Sequence, residues 1–326
     1  MAKIYYNKDA NLNVLKGKRV AVIGYGIQGR AQSLNLRDSG VDVVVAQKFK
    51  DDYYRRAKAD KMKIMDIPDA VKSSDIVLML IPDEVQKDVY DSEVGQYLRE
   101  GMVLDFAHGF NINFKRIVPP KFVDVIMVAP KGPGALVRET YEAGNGVPAL
   151  IAVHQDYSKK AKKTALAIAK GLGATTRGVI ETTFEEETET DLFGEQVTLC
   201  GGASELIRSS FDFLVKNGYQ PEIAYFEVLH ELKLIIDLVQ KGGIEGMWKN
   251  VSNTAEYGGR TRGAKIIDPA TEKAMKRILA DIKSGAFAKE WVAEYEAGMP
   301  ELTRLRKKAA DSKIESVGKS IRKMFK

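Results

Sequence analysis

One cysteine, Cys200, serves the whole chain of 326 residues. That excludes an internal disulfide and any cysteine-built zinc cage. A lone cysteine of this kind is expected to act as a small buried apolar side chain. No apolar run approaches the roughly 18–20 residues that a membrane span needs. The first residues, Met1-Ala2-Lys3-Ile4-Tyr5-Tyr6, have neither the apolar core of a secretion signal nor the Arg/Ser-rich character of a transit peptide. The expected location is therefore cytoplasmic. Motifs that read nucleic-acid bases are missing too, although the chain carries a net charge of +6 and a pI near 9.0. Its Lys and Arg residues are spread along helix-like segments and gather only mildly from Arg304 to Lys326. They read as solvated faces, with no nucleic-acid and no membrane partner expected.

What is present is an ordinary globular composition, 44% hydrophobic and 29% charged, in a length that supports two domains. The first half alternates β-branched runs with helix-like stretches. Strands are expected at 19–24, 41–46, 75–81, 102–106, 123–129 and 149–153. Continuous apolar strands separated by helices predict a Rossmann-type doubly wound parallel sheet, covered on both faces. From Phe184 onward the pattern is helical. Breaks are expected at Gly201-Gly202, Asn217 to Pro221, Gly242-Gly243, Gly258-Gly259 and Gly298-Met299-Pro300. Thr182 or Thr183, followed by Glu185 and Glu186, resembles a helix-capping box. The expected domains are 1–182, binding a dinucleotide, and 183–326, all helical. The spacing of Ile314, Val317, Ile321 and Phe325 predicts an amphipathic helix at the end.

Gly24-Tyr25-Gly26-Ile27-Gln28-Gly29 follows the first long strand and precedes a helix expected from Arg30 to Ser39. In that context the three glycines serve a tight turn, a close approach to a pyrophosphate, and close helix–strand packing. The helix N-terminus then offers free N–H groups to phosphate. The next strand ends in Gln47-Lys48-Phe49-Lys50-Asp51-Asp52-Tyr53. A 2′-phosphate favours cations there, whereas a free ribose hydroxyl favours a carboxylate. Lys48 and Lys50 stand beside Asp51 and Asp52, so the segment predicts use of NADH, alone or alongside NADPH. Two acid pairs stand out in the second half, Asp191 with Glu195 and Glu227 with Glu231. Four residues apart on a helix, the members of each pair share a face and repel unless a cation lies between them. Oxygen ligands without cysteine favour Mg²⁺, with two ions for two pairs. Exposed acid pairs at this spacing are also common without a metal. The run Glu185 to Glu189 reads as a helix start that complements the dipole.

In order and combination these segments resemble the ketol-acid reductoisomerase family, in its short class I form. Further stretches carry the likeness, namely Asp105-Phe106-Ala107-His108-Gly109-Phe110, Ala129-Pro130-Lys131-Gly132-Pro133-Gly134 and Ser252-Asn253-Thr254-Ala255-Glu256-Tyr257-Gly258. The resemblance spans essentially the whole chain. It implies an oxidoreductase of branched-chain amino-acid synthesis that converts 2-acetolactate, or 2-aceto-2-hydroxybutanoate, to a 2,3-dihydroxy acid. An alkyl group migrates on two Mg²⁺ ions per site, and NADH or NADPH then reduces the new ketone. By the resemblance, Asp191 would bridge the ions, Glu195 would hold one, and Glu227 and Glu231 the other. Ser252 would contact substrate. His108, as acid/base group, and Lys131 would line the site. Gly24 to Gly29, Lys48, Asp51, Tyr53, Pro82, Asp83 and Gly134 would serve the cofactor. The helical domain would be knotted, and a homodimer, alone or within a larger assembly, would complete each site. One departure bears on the cofactor: family members using NADPH commonly carry an Arg and two Ser residues where Lys48, Asp51 and Tyr53 stand. Arg30 replaces a common His. Two rivals share the dinucleotide fold, a β-hydroxyacid or 6-phosphogluconate-type dehydrogenase and a non-catalytic dinucleotide sensor. Neither accounts for the paired acids.

Overall fold

The structure, a computed structural model, describes residues 2–47 and 51–325. Lys48, one of the expected cofactor residues, lies outside the described residues. The chain divides into two compact units, Met1–Thr188 and Glu189–Lys326.

In the first unit the strands are β1 (Ile4–Tyr5), β2 (Arg19–Ile23), β3 (Asp42–Ala46), β4 (Lys63–Met65), β5 (Ile76–Met79), β6 (Val103–Phe106), β7 (Asp124–Pro130), β8 (Ala149–Gln155) and β9 (Val179–Glu181). They form one sheet in the order β1-β9-β8-β7-β6-β5-β2-β3-β4. From β4 to β7 every pairing is parallel. These six strands follow the dinucleotide-binding order, which reverses between β2 and β5. The sheet is not parallel throughout, because β8 runs antiparallel to β7 and β1 antiparallel to β9.

Apolar side chains leave both faces of the central strands. Val20, Val22, Val43, Val45, Ile76 and Leu78 pack on Leu34 and Leu36 of α1 (Ile27–Asp38). Ala21, Ile23, Val44, Val77 and Met79 point the other way, onto Ile67 and Val71. Burial on both faces is why these strands read as unbroken apolar runs instead of alternating ones. Five helices follow α1: α2 (Asp52–Ala59), α3 (Ile67–Lys72), α4 (Asp83–Val89), α5 (Phe110–Asn113) and α6 (Gly134–Glu142). Then come α7 (Ala161–Gly171) and α8 (Phe184–Gly194). Helix α8 is capped by Thr183, whose hydroxyl accepts from the Glu186 amide at 3.0 Å. The Glu186 carboxylate also accepts from the Thr182 hydroxyl at 2.5 Å.

Every regular element described in the second unit is helical. It contains the end of α8, then α9 (Gly201–Lys216), α10 (Pro221–Tyr225), α11 (Glu231–Trp248), α12 (Asn253–Ile266), α13 (Pro269–Lys283), α14 (Ala286–Glu296), α15 (Pro300–Ala310) and α16 (Lys313–Ile321). The expected amphipathic end is α16, which buries Ile314 and Ile321 against Phe211, Ala224 and Tyr225. The expected break at Gly242-Gly243 is present as a kink inside α11, where Gly243 has φ +72° and ψ 176°, but two other expected breaks are helix instead. The chain passes through Gly258-Gly259 inside α12, where a Cβ on Gly259 would overlap the Trp248 ring. It also stays helical up to Gly201-Gly202, through a wide turn, Glu195–Leu199, with i→i+5 bonding. Cys200 follows that turn and is exposed, not buried as expected.

Candidate active site

Strand β2 ends at Gly24, whose φ of +94° belongs to the left-handed region that glycine enters without steric cost. A Cβ there would also meet Ile81 at 2.6 Å. The turn delivers the chain to the N-terminus of α1 at the point where strand order reverses, the usual ligand crevice of such sheets. A cleft of about 580 Å³ lies there. It runs from Gln47, Asp51 and Tyr53, past Gly24 to Gln28, to Pro82, Asp83 and His108. Gly29 and Gly134 support this turn from behind. Gly29 approaches Gly24, and a Cβ on Gly134 would lie 2.6 Å from the Ile27 carbonyl carbon. Gly134 thus acts on the cofactor turn through packing.

Asp51 caps α2, accepting from the Tyr54 amide at 2.9 Å, and the Gln47 side chain donates to it at 3.2 Å. Its neighbour Asp52 is exposed and paired with Arg55. A second link fixes the glycine turn. The buried Tyr25 hydroxyl donates to Asp60 at 2.9 Å, and Arg30 grips the same carboxylate through Nε and one terminal nitrogen at 2.7 and 3.0 Å. Arg30 beside Asp60 holds that carboxyl below its ordinary range. Burial, then Asp60, pushes the Tyr25 phenol well above its own. Arg30, to which the sequence gave no role, therefore ties the turn to the end of α2.

At the far end of the cleft, His108 Nδ1 lies 2.7 Å from Asp83 Oδ2. Asp83 is held in turn, its Oδ1 accepting from Gln86 at 3.3 Å and its carbonyl from buried Asn111 at 2.9 Å. A carboxylate at Nδ1 fixes that nitrogen as the protonated one and leaves Nε2 as the basic nitrogen. Asp83, expected to serve the cofactor, thus also orients His108. Beside it, Lys131 donates to Glu187 Oε1 at 3.0 Å, and the Gly109 amide donates to Glu187 Oε2 at 2.9 Å. Glu187 is 1% exposed. The first turn of α8 packs on Gly109, where a Cβ would lie 2.7 Å from the Phe184 carbonyl oxygen. Glu187 is the residue that the geometry adds to this group and that sequence reading missed. Its place in a run of acids suggested a dipole effect, but its spacing of four from Asp191 was the available signal. Ligand atoms of His108 and Glu187 come within 4.8 Å of each other.

Helix α8 carries Asp191 one turn beyond Glu187, and Glu195 opens the wide turn that follows α8. Glu227 and Glu231 span a second wide turn, Phe226–His230. Glu195, Glu227 and Glu231 are exposed in the single chain. Among the described residues, no group of three or more His, Cys, Asp or Glu ligand atoms gathers around Glu227 and Glu231. Ser252 caps α12, accepting from the Ala255 amide at 3.2 Å. His154 lies edge-on to Phe184, away from this group, and burial lowers its pKa.

The strand order, the glycine turn at the switch point and the polar group at the end of the cleft define a dinucleotide-dependent oxidoreductase. Residues 14–178 match the family described as acetohydroxy acid isomeroreductase, NADPH-binding domain, and residues 184–326 match ketol-acid reductoisomerase, C-terminal domain. The chain belongs to the ketol-acid reductoisomerase family. It is 58% identical to the ketol-acid reductoisomerase (NADP(+)) of Pyrobaculum calidifontis over 325 residues, covering 100% of this chain and 99% of that one. With its namesake from Methanocaldococcus jannaschii it shares 55% over 324 residues, 99% and 98% of the two chains. The solved NADH-preferring ketol-acid reductoisomerase from an uncultured archean superposes with a TM-score of 0.96 at 47% identity, covering 98% of each chain.

Proposed function

We propose that this chain is a cytoplasmic enzyme of branched-chain amino-acid synthesis. It converts 2-acetolactate or 2-aceto-2-hydroxybutanoate to the 2,3-dihydroxy acid, using Mg²⁺ and NADH or NADPH. One observation carries the reading: the cofactor cleft ends at His108, beside buried Glu187, on the helix that goes on to Asp191. The metal donors fit magnesium, because they are all carboxylate oxygens on helices and no thiolate is among them. When bound, the ions polarise two adjacent substrate oxygens and the reduced nicotinamide supplies hydride. The protein's own part is positioning. Asp83 orients His108 so that Nε2 exchanges a proton with the substrate hydroxyl. Glu187 fixes the Lys131 ammonium, a donor for the oxygen that gains charge. Asp191 and Glu195 hold cation from one chain, and Glu227, Glu231 and Ser252 face the site of a second copy.

Exposed apolar side chains on either side of the kink at Gly243 in α11 support that second copy. Leu234, Ile236 and Ile244 are 55%, 54% and 63% exposed in the single chain. Each Leu or Ile buried against a partner contributes roughly 1.5–3 kcal/mol, so water is not the surface such a helix is built for.

The test is oxidation of NADH and of NADPH by purified protein with 2-acetolactate, with and without Mg²⁺. Magnesium-dependent oxidation is expected. Oxidation by neither cofactor at saturating Mg²⁺ would refute the assignment.

A further inference from the structure

Both acid pairs adjoin the same backbone irregularity. The Cys200 amide bonds to the Glu195 carbonyl at 3.0 Å, an i→i+5 link that closes the wide turn Glu195–Leu199. The Glu231 amide makes the same kind of link to Phe226, across Glu227. Such turns take up one extra residue within a single loop of helix. The flanking helices then keep their faces, while the residues in the turn point in new directions. A more loosely wound turn also brings Glu227 and Glu231 closer to eclipsing than the 3.6-residue helix would.

The first turn has a requirement that can be read from its glycines. A Cβ on Gly202 would overlap the Val197 carbonyl oxygen and lie 2.8 Å from its carbon. One on Gly201 would overlap the Gln196 carbonyl oxygen and lie 3.0 Å from its carbon. A wide turn alone does not impose this. In the turn Tyr90–Val94, a Cβ on Gly95 would stand 3.2 Å from the Tyr90 carbonyl oxygen. Nor is there slack on either side, since α9 is anchored by fully buried Phe211 and α8 by buried Leu192. Any added methyl group must be absorbed between 195 and 200.

We propose that Gly201 and Gly202 are positioning residues for the metal: by admitting the wide turn they set the direction in which Glu195 presents its carboxylate. The proposal rests on the reading of Glu195 as a ligand. It is tested on the full-length protein by titrating MgCl₂ calorimetrically, with NADH binding followed by fluorescence. Gly202→Ala and Gly201→Ala are expected to weaken Mg²⁺ binding about tenfold or more, the size of effect seen for groups that orient ligands. NADH affinity should stay within about twofold. Deleting exposed Thr198 removes the extra residue, so α8 should run straight into α9 with ordinary i→i+4 bonds. That variant, with far-ultraviolet circular dichroism checking that it keeps its helices, should lose Mg²⁺ affinity equally, and it decides the matter if Gly202→Ala does not fold. Wild-type Mg²⁺ affinity in the alanine and deletion variants, with loss in Glu195→Gln, overturns the proposal and leaves the ligand reading standing. Wild-type affinity in Glu195→Gln removes the ligand reading, and the proposal with it.

Discussion

Asp105 occupies β6 fully buried, where its neighbours across the sheet are apolar. Among the described residues, no hydrogen bond of ordinary geometry reaches either carboxyl oxygen. Burial pushes its pKa well above the usual range, and the Val128 and Phe106 amides offset only part of that. The folded chain therefore keeps a proton that the unfolded chain gives up near pH 3.8. Above that pH the unfolded state binds fewer protons, so stability is lost as pH rises toward the folded pKa. Asp105→Asn removes this dependence. Its melting temperature is expected to fall less than wild type's between pH 5 and pH 9, and parallel slopes would contradict the account. Asp51 makes a different prediction. Asp51→Ser keeps a good helix cap but removes the charge that repels a 2′-phosphate. The ratio of kcat/KM for NADPH over NADH should rise about tenfold, equivalent to roughly 1.4 kcal/mol. An unchanged ratio would mean that this carboxylate does not face the ribose.

Helices act on the cofactor through one another. Because Gly134 lets α6 approach Ile27, a methyl group there must push the glycine turn or α6 outward. Overpacking of this kind costs about 1–3 kcal/mol. Gly134→Ala should therefore raise KM for the dinucleotide more than it lowers kcat at saturation; the reverse split would place Gly134 in the chemistry. The same scale shows what a sequence can reveal. The long central strands were legible because burial on both faces leaves unbroken β-branched runs. Strands β1, β4 and β9, two or three residues long, leave no such run. The antiparallel course of β8 was hidden, since an apolar run has no direction. Gly242-Gly243 does mark a kink, but the other two glycine pairs misled for a related reason. A missing Cβ signals a break, a close approach or a wide turn alike, and Gly201-Gly202 serves the last while Gly259 makes room for Trp248. Asp191 with Glu195 and Glu227 with Glu231 were visible through their spacing, but Glu187 was masked by the acids around it.

For the whole molecule, the exposed apolar residues of α11 and the proposed separation of ligands between copies make joint predictions. Leu234→Asp should shift a sedimentation equilibrium toward monomer, with dissociation strengthened about a hundredfold or more. Retention of the wild-type mass would move the interface elsewhere. If Glu195 and Glu231 of one site come from different copies, Glu195→Gln and Glu231→Gln chains are each inactive alone. Mixed after dissociation, they should regain about a quarter of wild-type activity, through hybrid dimers with one intact site. No recovery would place both acids in the same chain's site.

Most two-unit chains are joined by exposed, flexible segments where few constraints cross. Here the division at Thr188 falls inside α8, between Glu187 and Asp191. A cut at that boundary does not separate two modules. It severs a helix and leaves Glu187 on one fragment and Asp191 on the other. Domain shuffling, the common route by which dinucleotide folds acquire new partners, is thereby closed to this architecture, and change in either half has to proceed residue by residue within an unbroken helix.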